Sequence, residues 1–248
     1  MNQLLASAIL TAALAIASVP AHAGTDKDTP GGPCATGPGL GTGNPCSGNS
    51  GNPSLEGNAD HEKIRYDHHP DPFHVDRPGN DHGAYITQIG DTHVATITQA
   101  ANTQYARIRQ EGAGDHADVA QAGAGAHYAA IDQNGDGNAL DLVQFGPSAQ
   151  VALLRQDGSG NSMLLDQQGG NVSSGVAAMQ LGNDNTMALA QSGSDNQARL
   201  IQDGSGNAMT ATQTGGNNQL AWTQTGDNLS DLAISQSGGQ ALQVTQGR

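Results

Sequence analysis

The chain has 248 residues and a formal net charge of −14, with 35 glycines and only 3% aromatic residues. A globular core depends on large side chains, so this composition excludes an ordinary globular domain. The acidic balance argues against a nucleic-acid partner, because contact with phosphates requires a basic surface. The sequence shows no nucleophile–base grouping or phosphate-binding loop, so we expect no enzymatic activity, cofactor or small-molecule substrate.

Residues 1–23 have the pattern of a secretory signal peptide. The apolar stretch Leu4–Val19 is followed, after one proline, by Ala21-His22-Ala23, a small-x-small cleavage site before Gly24. The alternative is a retained membrane anchor, for which the apolar stretch is short. The sequence therefore predicts an exported chain.

Residues 24–83 are rich in Gly, Pro, Asn, Asp and His and lack apolar periodicity, which predicts a disordered segment. Its two cysteines, Cys34 and Cys46, form an even set that can make one local disulfide in an oxidising compartment. Its histidines could bind a transition metal weakly, but no rigid element fixes their geometry, so we predict no metal site. These histidines are His61, His68, His69, His74 and His82.

From residue 84 onward the chain repeats itself, with glutamine recurring at spacings of mostly 11 or 12 residues. A glycine usually follows two positions after each glutamine. The glutamines are Gln88, Gln99, Gln110, Gln121, Gln133, Gln144, Gln156, Gln167, Gln180, Gln191, Gln202, Gln213, Gln224, Gln236 and Gln246.

The residues two and four positions before each glutamine are apolar throughout, and the residue six before is often an asparagine. This alternation with a period of two is the signature of a β-strand. The asparagines are Asn138, Asn161, Asn185, Asn196, Asn207 and Asn218. Strand, turn and strand together span about 22–24 residues, which predicts an all-β solenoid of about seven coils over residues 84–248.

The inward face of each predicted strand combines amides with small apolar residues. A buried amide is costly unless its donors and acceptor are satisfied, and identical stacked coils can satisfy them as an amide ladder. The first strand, Ala84–Gln88, and the last, Ala241–Gln246, carry the same inward pattern with no amphipathic cap. Such edges are templates for a second copy, and head-to-tail contacts generate open filaments.

Two rows of outward charges are expected. Arg109, Asp132 and Arg155 should stack in one row, where alternating signs attract. Asp118 and Asp141 should stack in another row and oppose close pairing, either as a gatekeeper against premature assembly or as solubilising surface.

The repeat resembles the curlin repeat, with the pattern Gln-x-Gly-x-x-Asn-x-Ala-x-x-x-Gln. Gln191–Gln202 fits this pattern at every specified position, and the repeats starting at Gln202 and Gln133 fit with Met209 and Leu140 in place of Ala. The resemblance covers about residues 84–248.

The resemblance implies a subunit of extracellular curli-type amyloid fibres at a bacterial surface, serving biofilm matrix, adhesion and cell aggregation. It also implies a homopolymer as partner, together with a nucleator and an outer-membrane secretion channel, with the inward Gln and Asn residues driving assembly. The chain departs from the family in its number of coils and in the long segment 24–83. Several early repeats also replace Asn, with His93, Gln104 and Asp115.

Three alternatives remain. A minor nucleator is similar but carries a more basic terminal repeat, whereas the last repeats here are nearly uncharged until Arg248. A calcium-binding β-roll has a nine-residue period with regular Asp ligands, which this chain lacks. An ice-binding or carbohydrate-binding solenoid needs a regular outward array, and the pairs Thr96/Thr98 and Thr210/Thr212 are sparse.

Overall fold

The computed structural model describes residues 73–248, which form an all-β structure of fifteen strands. The predicted signal peptide, the two cysteines and His61, His68 and His69 lie outside the described residues. The strands are β1 Gly83–Asp91, β2 Val94–Gln99, β3 Tyr105–Ala113, β4 His116–Ala122, β5 Tyr128–Asp136, β6 Ala139–Phe145, β7 Gln150–Asp157, β8 Ser162–Gly169, β9 Ser174–Leu181, β10 Thr186–Ser194, β11 Gln197–Asp203, β12 Ala208–Gly216, β13 Gln219–Thr225, β14 Leu232–Ser237 and β15 Ala241–Gly247. Within this part of the chain, no helix has the length and apolar character needed to cross a membrane.

The strands alternate between two parallel sheets, which confirms the predicted β-solenoid. The first sheet has eight strands in the order β1-β3-β5-β7-β9-β11-β13-β15, and the second has seven in the order β14-β12-β10-β8-β6-β4-β2. Glutamine pairs with glutamine at every level of both sheets, as Gln88 with Gln110 and Gln99 with Gln121. The amide and apolar pattern thus fixes the register, because a slip of one residue would turn the whole inward set outward.

The core is a single layer of side chains between the sheets. It consists of the apolar residues two and four positions before each glutamine, and the members in the central coils are at most 4% exposed. Large side chains such as Ile131, Leu142 and Trp222 alternate with alanines such as Ala129 and Ala152. A chain with few aromatic residues can therefore exclude water, because each side chain packs against its counterparts in the coils above and below.

A column of glycines lets the turns of successive coils approach closely. Gly135 has φ +120°, and a Cβ added there would lie 2.0 Å from the carbonyl oxygen of Gly158 in the next coil. Gly112 is placed in the same way above Gly135, with the corresponding distance 1.9 Å. At positions such as these, two residues after a ladder glutamine, glycine is therefore required both by its backbone conformation and by the spacing of the coils.

Residues 73–82, named the strap from here on, lie against the outer face of the first sheet, although the sequence predicts them to be disordered. Val75 is buried against Tyr128 and Val151, and its main-chain N–H donates to Gln197 Oε1 at 3.0 Å. The Arg77 guanidinium lies 5.6 Å from the centre of the Tyr128 ring. At the other end, the Arg199 guanidinium lies 4.9 Å from the centre of the Phe73 ring. The strap therefore runs along the solenoid axis, across several coils.

Replacing Gly135 with alanine should destabilise the soluble chain strongly. The conformation at φ +120° alone costs about 1–3 kcal/mol for a residue with a Cβ, and the collision with Gly158 adds to this cost. Gly137 is the matched control, because its φ is +67° and a Cβ there meets nothing within 4 Å. Gly137→Ala should cost only about 1–2 kcal/mol. Equal urea midpoints for the two variants would contradict the close approach of the turns.

Candidate assembly interface

Eight glutamines form one continuous amide ladder on the inner face of the first sheet. Each Nε2 donates to the Oε1 of the glutamine in the next coil, over 2.8–2.9 Å. The ladder runs Gln88, Gln110, Gln133, Gln156, Gln180, Gln202, Gln224, Gln246. All seven links donate in the same direction, toward the C-terminal coil.

A second ladder of seven glutamines runs along the second sheet with the same direction of donation. Its links measure 2.7–2.9 Å. The ladder runs Gln99, Gln121, Gln144, Gln167, Gln191, Gln213, Gln236. The structure thus brings all fifteen predicted glutamines into two columns.

From Gln99 onward, each ladder amide also donates a hydrogen to a main-chain carbonyl. In the central coils this carbonyl lies at or near the start of a strand in the opposite sheet, for example from Gln110 to Val94 at 3.1 Å and from Gln133 to His116 at 3.0 Å. Each inner amide therefore has both hydrogens and its oxygen paired, which removes the cost of burying it. The same bonds tie the two sheets together at every level.

The asparagines form shorter rows at the bends that precede the strands. Before the second-sheet strands, the Oδ1 of Asn138, Asn161 and Asn185 each accepts the main-chain N–H of the next residue in the row, at 3.1 Å. Their Nδ2 groups donate to turn carbonyls, as from Asn138 to Gly158 at 2.9 Å. Before the first-sheet strands, Asn196 and Asn218 are linked at 2.9 Å. All six predicted asparagines are buried, with Asn207 continuing the longer row.

Several other residue types occupy the same buried row, just before or at the first residue of the first-sheet strands. They are Gln104, His127, Gln150 and Ser174, each at most 2% exposed. Gln104 is predicted from the sequence as a replacement for Asn, whereas the other three are not. All three stand six positions before the following glutamine, where the asparagines also stand, although longer turns place them six or seven positions after the preceding one. They were missed because only asparagines were taken as members of the row, and the shared position is the signal that finds them.

His127 is held as a neutral imidazole by its two neighbours. Its Nε2 lies 2.8 Å from the carbonyl oxygen of Ala122, and its Nδ1 lies 3.2 Å from the main-chain nitrogen of Gln150. Nδ1 must accept and Nε2 must donate, so only one neutral tautomer fits. Burial lowers the pKa of His127 below its ordinary value, and the hydrogen bond to Ala122 opposes this shift only in part.

Asp115 stands in the other row with an incomplete set of partners. Its Oδ1 accepts from the main chain and the side chain of Asn138, at 2.9 and 3.1 Å. Its Oδ2 has no hydrogen-bond partner and lies 3.4 Å from His93 Nδ1. Burial raises the pKa of the Asp115 carboxyl, against the opposing effect of the Asn138 hydrogen bonds. The first coils are therefore less completely bonded than the central ones.

The two ends of the solenoid present complementary groups. At the first coil, Gln88 Oε1 and Gln99 Oε1 receive no hydrogen bond from any described residue, because each ladder starts there. At the last coil, Gln246 Nε2 donates once, to the carbonyl of Ser230 at 2.8 Å. One end thus presents free amide acceptors, and the other presents an amide donor.

The predicted outward rows are present, although their ion pairs differ from expectation. Arg109, Asp132 and Arg155 are stacked in register. Asp132, however, binds Arg107 at 2.8 Å, while Arg155 binds Asp157 in its own strand at 2.6 Å. Arg155 and Asp157 are two apart and share one face of their strand, whereas Arg107 reaches Asp132 diagonally from the neighbouring strand. Asp132 therefore pairs with Arg107 and not with its row neighbours. The pairs are well exposed, so each is worth no more than about 1 kcal/mol.

The like-charged row is also present, with Asp118 directly opposite Asp141. Within residues 73–248, no group of three or more His, Cys, Asp or Glu side chains is arranged to hold a metal ion.

Parallel coils joined by continuous inward amide ladders define the class of repeat β-solenoid proteins. Comparison with protein-family models matches residues 182–215 to the curlin associated repeat. The chain therefore carries the curlin repeat recognised in its sequence, and the match includes the segment Gln191–Gln202 on which that recognition depends. No curated protein and no solved structure gives a significant match.

The ladder can be tested with two adjacent glutamines on one strand. Gln167→Ala should lower the free energy of unfolding by about 2–4 kcal/mol, because it leaves one hydrogen of Gln144 Nε2 and the Oε1 of Gln191 without a partner. Gln168 points outward and is exposed, so Gln168→Ala should change it by less than about 0.5 kcal/mol. Urea unfolding of freshly desalted soluble chain measures both. Similar losses in the two variants would contradict the ladder.

Stability should fall in acid because of His127. Its pKa in the folded chain lies below the ordinary 6.5, so the unfolded chain binds more protons as the pH falls below 6.5, and protonation favours unfolding. His127→Gln introduces the residue type found at Gln104 and Gln150 in this row. It should reduce the change in the free energy of unfolding between pH 6.5 and 5. His116→Gln, at an exposed position, is the control. If the unfolding midpoints of the two variants changed with pH in the same way, His127 would not be the cause of the acid sensitivity.

Proposed function

We propose that the chain is a structural subunit of extracellular curli-type amyloid fibres, assembled by head-to-tail stacking of solenoid ends. The fibres would serve biofilm matrix, adhesion and cell aggregation at a bacterial surface. The support comes from the curlin repeat over residues 182–215 and from the parallel solenoid around it.

The observation that carries this proposal is the exposure of inward-pattern residues at both ends. Ile86 in the first coil is 46% exposed, and Leu242 in the last strand is 37% exposed, whereas Ile131 in a central coil is fully buried. Apolar side chains and unpaired strand edges of this kind are stabilised when another strand covers them. The strand edges bear the same repeat, so a second copy of the chain is the partner that fits.

The direction of donation makes this contact head-to-tail. A free hydrogen on Gln246 Nε2 at the last coil can donate to Gln88 Oε1 of the next copy, which continues the first-sheet ladder across the junction. Strands then lie perpendicular to the fibre axis with hydrogen bonds along it, which is the cross-β arrangement of amyloid. A heterologous contact that does not close generates a filament of any length.

The cellular context is part of the same proposal. The N-terminal pattern at residues 1–23 supports export, and the curlin repeat supports passage through a curli-type secretion channel with a nucleator at the surface. The nearly uncharged terminal repeats favour the major subunit over the nucleator. The net charge of −14 supports solubility before assembly.

Assembly can be tested with a charge placed at the junction or beside it. The mature chain from residue 24 is diluted from denaturant, and its assembly is monitored by thioflavin fluorescence. The product is examined by fibre diffraction, in which reflections near 4.7 and 10 Å are expected. Gln246→Glu keeps the acceptor for Gln224 but puts a carboxylate against Gln88 Oε1 of the next copy. It should slow seeded elongation by about tenfold or more, because the second oxygen of the desolvated carboxylate would face the acceptor Gln88 Oε1 with no donor between them.

Gln243→Glu is the matched control, with the same change of charge on the exposed outer face of the same strand. It should elongate at nearly the rate of the unaltered chain. Equal slowing by both variants would count against the proposed junction. A soluble β-rich chain that ignores seeds would refute the fibre function and direct attention to calcium and ice binding.

A further inference from the structure

The two sheets differ by one strand, which matters when copies stack. Each coil contributes one strand to the first sheet and one to the second, but β15 adds an eighth first-sheet level with no second-sheet strand among the described residues. If β15 stacks on β1 of the next copy, β14 and the next copy's β2 are separated by one empty level. The inward side chains of β15, including Leu242 and Val244, then face a gap.

The strap carries the repeat pattern that would fill this gap. Phe73 and Val75 stand four and two positions before Arg77, where the repeats have apolar residues before a glutamine. Gly79 follows two positions later, as the turn glycines do. Arg77 precedes Gln88 by 11 residues, the same spacing that separates Gln191 from Gln202. Continuing the winding backward from β1 places this half-repeat in the second sheet, next to β2.

In the soluble chain the strap occupies the outer face of the first sheet through few bonds. Among the main-chain N–H groups of residues 73–77, that of Val75 alone donates to a described residue. Arg77 Nε is buried there without a hydrogen-bond partner. The site also requires Gly175, because a Cβ at this position would lie 2.6 Å from Val75 Cβ and 2.8 Å from its carbonyl oxygen. A strand between two neighbours would pair the strap's main chain on both sides.

We propose that residues 73–77 leave the first sheet on assembly and enter the second sheet as a strand between their own β2 and β14 of the neighbouring copy. This inference rests on the proposed fibre function. Phe73 and Val75 turn inward and cover Leu242 and Val244 of that neighbour. Each junction is thus completed by a strand from the incoming copy, a form of strand addition at a sheet edge.

The hydrogen-bond chemistry at this level suits an arginine. Arg77 takes the place of a ladder glutamine and faces Gln99 Oε1, which accepts no hydrogen bond from residues 73–248. A guanidinium only donates, and it meets that acceptor directly. On the other side, Gln236 Nε2 already donates both hydrogens to the carbonyls of Gln219 and Gln240, at 2.9 and 3.2 Å. Gln236 therefore needs no acceptor from the residue at this level. The small residues Ala84 and Ala95 in the first coil leave room for Phe73.

Two variants displace the strap from the first sheet but differ at the junction. Gly175→Val closes the notch that holds Val75 and leaves the strap sequence intact, so elongation from wild-type seeds should be at least as fast as with Ala221→Val, an outward control on β13. Val75→Asp also displaces the strap from the first sheet, but it places a charge in the junction between copies. It should therefore slow elongation by about tenfold or more. Slowing by Gly175→Val that matches Val75→Asp would overturn the inference.

Hydrogen exchange on the unaltered chain gives an independent answer. The amides of residues 74–77, apart from Val75, should exchange rapidly in the soluble chain and become as protected as those of β2 in the fibre. Fibres in which these amides still exchange rapidly would overturn the inference and leave the fibre function standing. Failure to form fibres at all would overturn both.

Discussion

The buried primary amide is the group on which the rest of the molecule depends. It has two donors and one strong acceptor, and within a dry layer the partner that satisfies it at every level is another amide one strand away. This requirement fixes the spacing of the glutamines, the parallel direction of the strands and the register of both sheets. The apolar layer is thin and supplies little shape information, so polar complementarity specifies the stack.

Because this requirement is strict, the fold could be predicted from the sequence. Alternation with a period of two located the strands, and fifteen glutamines in phase located the sheets, so the coil number and the inward columns followed. Less regular positions were harder to find. His127, Gln150 and Ser174 occupy the buried row after longer turns, and a prediction restricted to asparagine omits them. The row is defined by a position before the strand, and several polar residue types can fill that position.

Two further features depended on tertiary contacts that local sequence does not contain. The strap lacks regular structure and is rich in polar residues, and its placement depends on a groove formed by Val151, Gly175 and Gln197 on distant strands. The ion pair between Arg107 and Asp132 also differs from the pairing expected from stacking alone. Side chains on a flat outer face can reach along a strand or diagonally across it, so register does not determine which partners they choose.

The common direction of the amide links has an electrical consequence. The glutamine-to-glutamine links of both ladders all donate in one direction along the axis, so the dipoles of these side-chain amides add, as peptide dipoles do in a helix. In a filament of identically oriented copies this sum grows with length, and opposite tips carry opposite partial charge. Such filaments would orient in an electric field, and their two tips would recruit acidic monomers at different rates.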